Sequence, residues 1–386
     1  METEDWLTYR YKTMHVGLLT HNYPQTKNDR KDAGIFIYDF AHELAKKHNV
    51  SILCPNFTGG NKEDYHKVSV TWFKWAGGDS KLGQLNLKNL TGIYWFFSLI
   101  YCGCQAAEKF VRENRIEYIL SAWSFPSGLF AMYASWRLKV PYATWSLGSD
   151  INIYAQRPVF GIFIKQILIH ARCRFANSYF LCDKVKQLSG SDCFFLPAIT
   201  DFKITKIQSL KLNQSQRHFL FVGRLEKVKG PDILIEACRL LQNLNSRFMV
   251  HILGDGSLRK ILEEQCLPNV YFHGNSSKNQ VAQYMAVADF LVIPSRSESL
   301  PLVLIEAAKV RLPIIASRVG DCQRLVDDYH IGYTVDPENS SNLAQVMRQA
   351  IQKSDKSVYL PGLKRIAREF IQSEAVRIFT SSVKDI

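Results

Sequence analysis

Short apolar runs alternate with longer amphipathic stretches along most of the chain. HVGLLT (15–20), the run 50–54, VSVTWF (68–73), EYILSA (117–122) and PYATWSL (141–147) predict strands. Between them, Ile35, Tyr38, Ala41 and Leu44 fall near helical spacing, so 35–47 predicts a helix. An aromatic helix is expected over about 92–113, then SGLFAMYASWRL, then 159–175. Strands alternating with helices imply a parallel sheet covered on both faces. Residues 198–216 are polar with weak periodicity and read as a linker. From 218 the alternation restarts: HFLFVG, FMVHILG, NVYFHG, DFLVIP, PIIAS and GYTV predict strands with helices between them. The expectation is an α/β chain of two doubly wound domains, 12–197 and 217–362, with an amphipathic last segment at about 363–386. They are expected to face each other with strand C-terminal ends lining a cleft, the place where open α/β sheets bind ligands.

Charge narrows the classes. The chain of 386 residues has a formal net charge of +13, spread without a basic block. That balance suits anionic ligands or an anionic membrane surface. No recognition helix, RNP-like or zinc pattern supports a nucleic-acid binder. Nine cysteines without a CxxC spell out neither a zinc site nor a disulfide framework, and a reduced interior is the simpler account. The opening METEDWLTYR has no apolar core behind a basic start, so no signal peptide is expected there. No charge occurs between Lys88 and Glu108, but the dense apolar part is too short to span a bilayer, and a buried or interfacial helix is expected. From Arg157 to Lys186 there are six basic residues and one acid, a pattern that fits a basic amphipathic helix on a membrane or a helix covering the sheet.

Candidate chemistry recurs just after the strands of the second half. In PSRSESLPLVLIEA (294–307), Pro301 stands where a helix begins. The first amides of that helix, those of Leu302 and Val303, would attract an anion, phosphate above all. Glu298 and Glu306 bracket seven residues, too far apart for one tight pair. They suit separate tasks, one near the phosphate end and one gripping hydroxyls. In GRLEKVKG, Gly223 permits a tight turn, and Arg224 and Lys229 are placed to converge on one anion such as a diphosphate. In GDGS, Gly254 would let backbone approach a ligand. Asn275 could touch a base or ribose. Taken together, these loops describe a site for a sugar linked through a diphosphate to a nucleoside.

FVGRLEKVKG, GDGS, ADFLVIPSRSESLPLVLIEA and PIIASRVGD resemble the donor half of the GT-B retaining glycosyltransferases of glycosyltransferase family 4. GIFIYDFAHELAKKHNVSIL and VPYATWSLGSDIN in the first half are similar more weakly. The resemblance implies a GT-B fold of two Rossmann-like domains, the first the acceptor domain and the second the donor domain. It implies that the last helix crosses back onto the first domain. It places Glu298 and Glu306 in the family's E-x7-E pair, Arg224 and Lys229 as its diphosphate-binding cations, and Leu302 and Val303 as its backbone donors, with Ser299, Leu300 and Gly34 also on the donor side. The departures lie mainly on the acceptor side. Trp123 and Leu147 stand where histidines are common, Ser299 and Pro301 where glycine is frequent, and the first glycine-rich loop is reduced to Ala33 and Gly34. Trp123 and Asp150 are the acceptor-side candidates.

The expected activity is therefore retaining transfer of a hexose from a UDP- or GDP-sugar to a glycan or lipid-linked acceptor, in cell-surface polysaccharide, lipopolysaccharide or glycolipid biosynthesis. Catalytic roles fall to Glu298, Arg224 and Lys229. No DxD pair occurs, so neither a metal nor another cofactor is expected. The alternative is a GT-B-like protein that binds nucleotide or glycan without transfer. The expected location is cytoplasmic, at the cytoplasmic face of a membrane and held there peripherally.

Overall fold

In a computed structural model of the chain, the described residues are 13–24, 34–55, 68–78, 85–199, 210, 212–213, 215–242, 247–265, 267–352 and 355–383. They divide into two compact units, Met1–Thr200 with Gln372–Ile386 and Asp201–Ile371. The N-terminal stretch before 13 and most of the expected linker lie outside the described residues.

The strands of the first unit are β1 (His15–Leu19), β2 (Asn49–Pro55), β3 (Val68–Phe73), β4 (Tyr118–Ala122), β5 (Tyr142–Ser146), β6 (Cys173–Ala176) and β7 (Phe194–Phe195). They form one sheet in the order β3-β2-β1-β4-β5-β6-β7, and every pairing is parallel. β4 and β5 are buried throughout, as strands covered on both faces must be. The helices are α1 (Ile35–Leu44), α2 (Leu90–Glu113), α3 (Ser127–Leu138), α4 (Pro158–His170) and α5 (Tyr179–Ser189). Asn89 caps α2 by accepting from Gly92 N at 2.7 Å, and Ser178 caps α5 by accepting from Leu181 N at 3.1 Å. Among the described residues no helix is long and apolar enough to cross a membrane. The eight cysteines described are all free.

The second unit repeats the plan with β8 (Arg217–Val222), β9 (Phe248–Leu253), β10 (Val270–Gly274), β11 (Phe290–Ile293), β12 (Ile314–Ser317) and β13 (Gly332–Val335) in the order β10-β9-β8-β11-β12-β13. Its helices are α6 (Pro231–Gln242), α7 (Arg259–Glu263), α8 (Lys278–Val287), α9 (Leu302–Lys309), α10 (Cys322–Tyr329), α11 (Ser340–Gln352) and α12 (Leu360–Glu369). In both sheets the chain starts in the middle, builds outward one way, then returns to build the other way. The point of return lies between β1 and β4 in one unit and between β8 and β11 in the other. Loops diverge there and leave room for a ligand.

The expected last segment is divided. α12 stays with the second unit, packed on α9, with Leu363 and Ile366 fully buried. The chain leaves the helix at Phe370, and α13 (Gln372–Ser382) joins the first unit against α1. Phe379 meets Phe40, Tyr118 and Phe175 at ring distances of 6.0, 6.1 and 5.8 Å. Thr380 Oγ1 lies 3.2 Å from His48 Nε2. The crossing thus begins at 372 rather than at about 363, because the apolar stripe of α12 is spent on the second unit.

Three histidines bridge the strands β8, β9 and β10. His218 Nδ1 lies 3.1 Å from His251 Nε2, and His251 Nδ1 lies 3.2 Å from His273 Nε2. Burial, followed by the charges His218 and His273 would carry, pushes His251 from 6.5 down to about 4. Between those two values the unfolded chain takes up a proton that the folded unit refuses, so stability falls as pH drops through this window. The unfolding midpoint of the second unit is expected to decline between pH 6.5 and 4, and to decline less in His251→Gln. Scanning fluorimetry across pH checks this.

Candidate functional site

Two loops that are remote in sequence meet at the point of return of the second sheet. One follows β8 and ends in a short turn, Lys227–Lys229. The other follows β11 and leads into α9. Lys229 Nζ lies 2.7 Å from Glu298 Oε1, and Ser295 Oγ donates to the same oxygen at 2.8 Å. The Glu298 side chain is only 10 % exposed, so this pair is shielded from solvent in a way that an ordinary surface ion pair is not. Beside it opens a pocket of about 330 Å³, lined by Gly223, Lys229, Ser295, Glu298, Leu302 and Val303 together with apolar strand-end residues. Its size falls within the range of small-ligand sites.

α9 begins just after Pro301, whose backbone is extended (ψ 119°). The first amides of a helix have no partner within it, and the helix dipole adds positive potential at this end. A cation and a helix N-terminus therefore line one pocket, an arrangement that binds phosphate. Leu304 and Ile305 are buried and fix the helix to the unit's core.

Arg296, not singled out in the sequence, holds the two loops together. Its guanidinium forks onto Asp232, the second residue of α6, at 2.8 and 2.7 Å. It also donates to Lys227 O and Glu338 Oε1, both at 2.5 Å. Its backbone N–H donates to Val228 O at 2.8 Å. These bonds keep its charged form strongly favoured, the Asp232 hydrogen bond first among the causes. From the other side Gly320, at φ +52°, sits so close to Glu298 O that an added Cβ would overlap it. The only sequence signal for Arg296 was its place two residues before Glu298. Arg296→Ala is expected to lower any activity that depends on this pocket about 10- to 100-fold, because small displacements of a positioned group cost that much. Arg296→Lys should recover only part of it, since a lysine cannot fork onto Asp232. Activity measurements beside thermal midpoints check this.

Several expected site residues lie elsewhere. Arg224 is exposed and is not among the residues lining the pocket. The neighbouring Leu225 is fully buried, with its N–H bonded to Asp255 O at 2.9 Å and its carbonyl to Leu258 N at 2.9 Å. Of the two cations expected to converge on one anion, Lys229 lines this pocket and Arg224 does not. Gly223 and Leu300 line the pocket, but Glu306, Ser299, Gly254 and Asn275 do not. Glu306 is half-buried on the second turn of α9, and Asn275 is exposed beyond β10. Ser299 carries its carbonyl to Asp321 N at 2.9 Å. Gly254, at φ +144°, has its Cα against Gly223 O, where any side chain would overlap that oxygen. What approaches Gly254 closely is backbone.

In the first unit, Gly34 precedes α1, and its carbonyl accepts from Ile37 N and Tyr38 N. A Cβ there would crowd Asn22 O. Trp123 follows β4 with φ +66°, a left-handed conformation that is rare for a bulky residue. Its ring packs 4.2 Å from that of His21, beyond β1, a neighbour absent from the expected set. His21 is pushed down to about 4 by burial, so its ring is neutral at ordinary pH. Asp150, expected on the acceptor side, is bonded within its own unit. It is fully buried, and its carboxylate accepts from Ser124 N (2.7 Å), Leu147 N (3.2 Å), Gly148 N (3.0 Å) and Ile151 N (3.1 Å). Burial raises its pKa, and these four bonds oppose the rise. Its task is to tie the loop after β5 to the turn that carries Trp123.

Residues 202–361 match the family described as glycosyl transferases group 1. The putative teichuronic acid biosynthesis glycosyltransferase TuaC of Bacillus subtilis is 30% identical over 249 residues, which cover 61% of this chain and 61% of TuaC. Among solved structures, sucrose-phosphate synthase of Thermosynechococcus elongatus aligns over 96% of this chain and 98% of its own, with TM-score 0.78 and 18% identity. HepE of Anabaena, solved in complex with UDP, aligns over 97% of this chain and 100% of its own, with TM-score 0.71 and 17% identity. These likenesses show that the two Rossmann-like units are those of the GT-B fold.

Proposed function

We propose, from the match of residues 202–361 to the glycosyl transferases group 1 family, that this chain is a retaining hexosyltransferase of glycosyltransferase family 4. It takes the hexose from a nucleoside diphosphate sugar and passes it to a glycan carried on a lipid, in the biosynthesis of a cell-surface polysaccharide or lipopolysaccharide. The acceptor is met at the cytoplasmic face of a membrane, with the protein attached peripherally. The observation that carries the reading is the Lys229–Glu298 pair beside the first turn of α9, at the switch point of the sheet.

The donor's diphosphate takes the pocket, held by Lys229 and the amides of Leu302 and Val303. Glu306 and Asn275 reach the nucleoside, and Arg224 swings from solvent onto the diphosphate. In the reaction, the bond between the anomeric carbon and the β-phosphate oxygen breaks, and the acceptor oxygen bonds to that carbon on the same face. The acceptor's proton passes to the departing phosphate. Negative charge grows on the phosphate, so a fixed cation and helix amides stabilise the transition state more than the ground state. Glu298 holds Lys229 in place and presents its carboxylate near the sugar. The cation task is met by side chain and backbone, so the reading needs no metal.

The test is a thermal-shift screen over UDP- and GDP-sugars, followed by transfer to lipid-linked acceptors, with product anomers read by NMR. The expected result is stabilisation by one nucleotide, transfer with retained configuration, and no loss of activity in EDTA. Nucleotide binding without turnover across donors and acceptors would leave a binding protein. An inverted product would overturn the retaining assignment.

A further inference from the structure

α2 and α4 bury one apolar face and expose a second. On α2 the inner face is Leu99, Gly103, Ala107 and Phe110. The outer face holds Leu90, Tyr94, Phe97 and Tyr101, spaced four, three and four residues apart and 63 to 85% exposed. That spacing lays them in one stripe along a helix. On α4 the inner residues are Ile164, Ile167 and Leu168, and the outer ones are Val159, Ile162 and Phe163. The two helices meet through Phe96 and Phe160, whose rings lie 5.7 Å apart. Phe160 also reaches Phe125, just past β4, at 5.3 Å. The seam therefore lies at the C-terminal edge of this unit's sheet, the edge that carries Trp123. Further along, Ile100, Cys104, Leu129, Met132 and Trp136 line an apolar groove of about 530 Å³ between α2, α3 and α4. Scattered exposed apolar residues are ordinary, but a two-helix stripe continuous with a groove marks an interaction surface.

The charge around this surface chooses its partner. No acidic residue occurs between 89 and 107 or between 151 and 182, whereas Arg157, Lys165 and Arg172 lie on or beside α4, all exposed. A second copy of the chain would set these cations against their own kind, which is unfavourable. An anionic surface with an apolar interior complements both features, and the tyrosines and Trp136 are side chains that suit the boundary between lipid and water.

We propose that the outer faces of α2 and α4 form a docking surface for an anionic lipid bilayer, with the aromatic stripe entering the acyl boundary and Arg157 and Lys165 pairing with headgroups. The proposal rests, for its purpose, on the reading of a lipid-linked acceptor. Docking there would bring the acceptor-side edge of this unit to the membrane.

The test is co-sedimentation of the full chain with phosphatidylglycerol-containing or pure phosphatidylcholine vesicles. The wild type should pellet with the anionic vesicles at low salt and be released as salt rises. Phe97→Ser with Phe163→Ser, and Arg157→Glu with Lys165→Glu, should each weaken binding at least ~10-fold. Their thermal midpoints and donor hydrolysis should stay near wild type. Wild type remaining in the supernatant, or apolar variants binding as well as wild type, would overturn the proposal. So would a wild-type dimer that the apolar variant splits into monomers. Vesicle binding without sugar transfer would sink the enzymatic reading and leave this surface standing. Sugar transfer to soluble acceptors without vesicle binding would do the reverse.

Discussion

Lys229→Ala and Glu298→Ala are each expected to lower sugar transfer by at least ~100-fold, by analogy with removing one oriented donor from an oxyanion site. The two losses arise differently. On the proposed reading, the departing phosphate loses its fixed cation without Lys229. Without Glu298, that cation remains but loses the partner at 2.7 Å that aims it. Residues acting as a unit are not additive, so the double variant should fall little further than either single one. Glu298→Gln offers a finer reading. The amide can still accept from Ser295 but no longer carries the charge that pairs with Lys229, so transfer should fall while the fold holds. Steady-state kinetics with the identified donor decide this, with thermal midpoints as the control. Near-wild-type transfer by both single variants would remove the pair from the mechanism.

Asp150→Ala is expected to cost about 4 kcal/mol, since it takes the acceptor from the backbone donors of Ser124, Leu147 and Gly148, while Ile151 N–H keeps its second bond to Gly148 O at 3.2 Å. For a unit of this size, that is a fall of roughly 10 °C in its unfolding midpoint. Trp123 is held at φ +66° by the turn that Ser124 shares with Asp150, so its backbone should relax as well. Asp150→Asn should fall between. Its carbonyl can keep the Oδ1 bonds to Leu147, Gly148 and Ile151, but its NH2 would oppose Ser124 N–H, so the turn at Trp123 loosens first. Tryptophan fluorescence and amide exchange at Ser124 would follow it. Slow exchange at Ser124 in the alanine variant would reject the positioning role.

The alternation of apolar runs fixed both sheets in outline, because a parallel strand buried on both faces leaves little freedom in its residue types. It also marked the two loops that meet at the pocket, through Pro301 at the helix start and a basic stretch beyond a strand. The parts it could not mark depend on neighbours distant in the chain. Arg224 and Lys229 are equivalent as sequence, but the buried Leu225 and its two backbone bonds turn Arg224 outward, while Lys229 reaches a glutamate 69 positions away. Gly254 signals a close approach in either setting, and only the fold shows that it is approached by Gly223. Asp150 reads as a polar loop residue until four amides are seen around it. Residues 360–382 carry helical periodicity in one run, but α12 and α13 attach to different units.

Local patterning determined the elements and the chemical types available, because both depend on a few adjacent residues. Which side chains share a pocket, and which are enclosed as supports, was decided by tertiary packing. Burial and hydrogen-bond completion are satisfied only when strands such as β8 and β11 lie side by side.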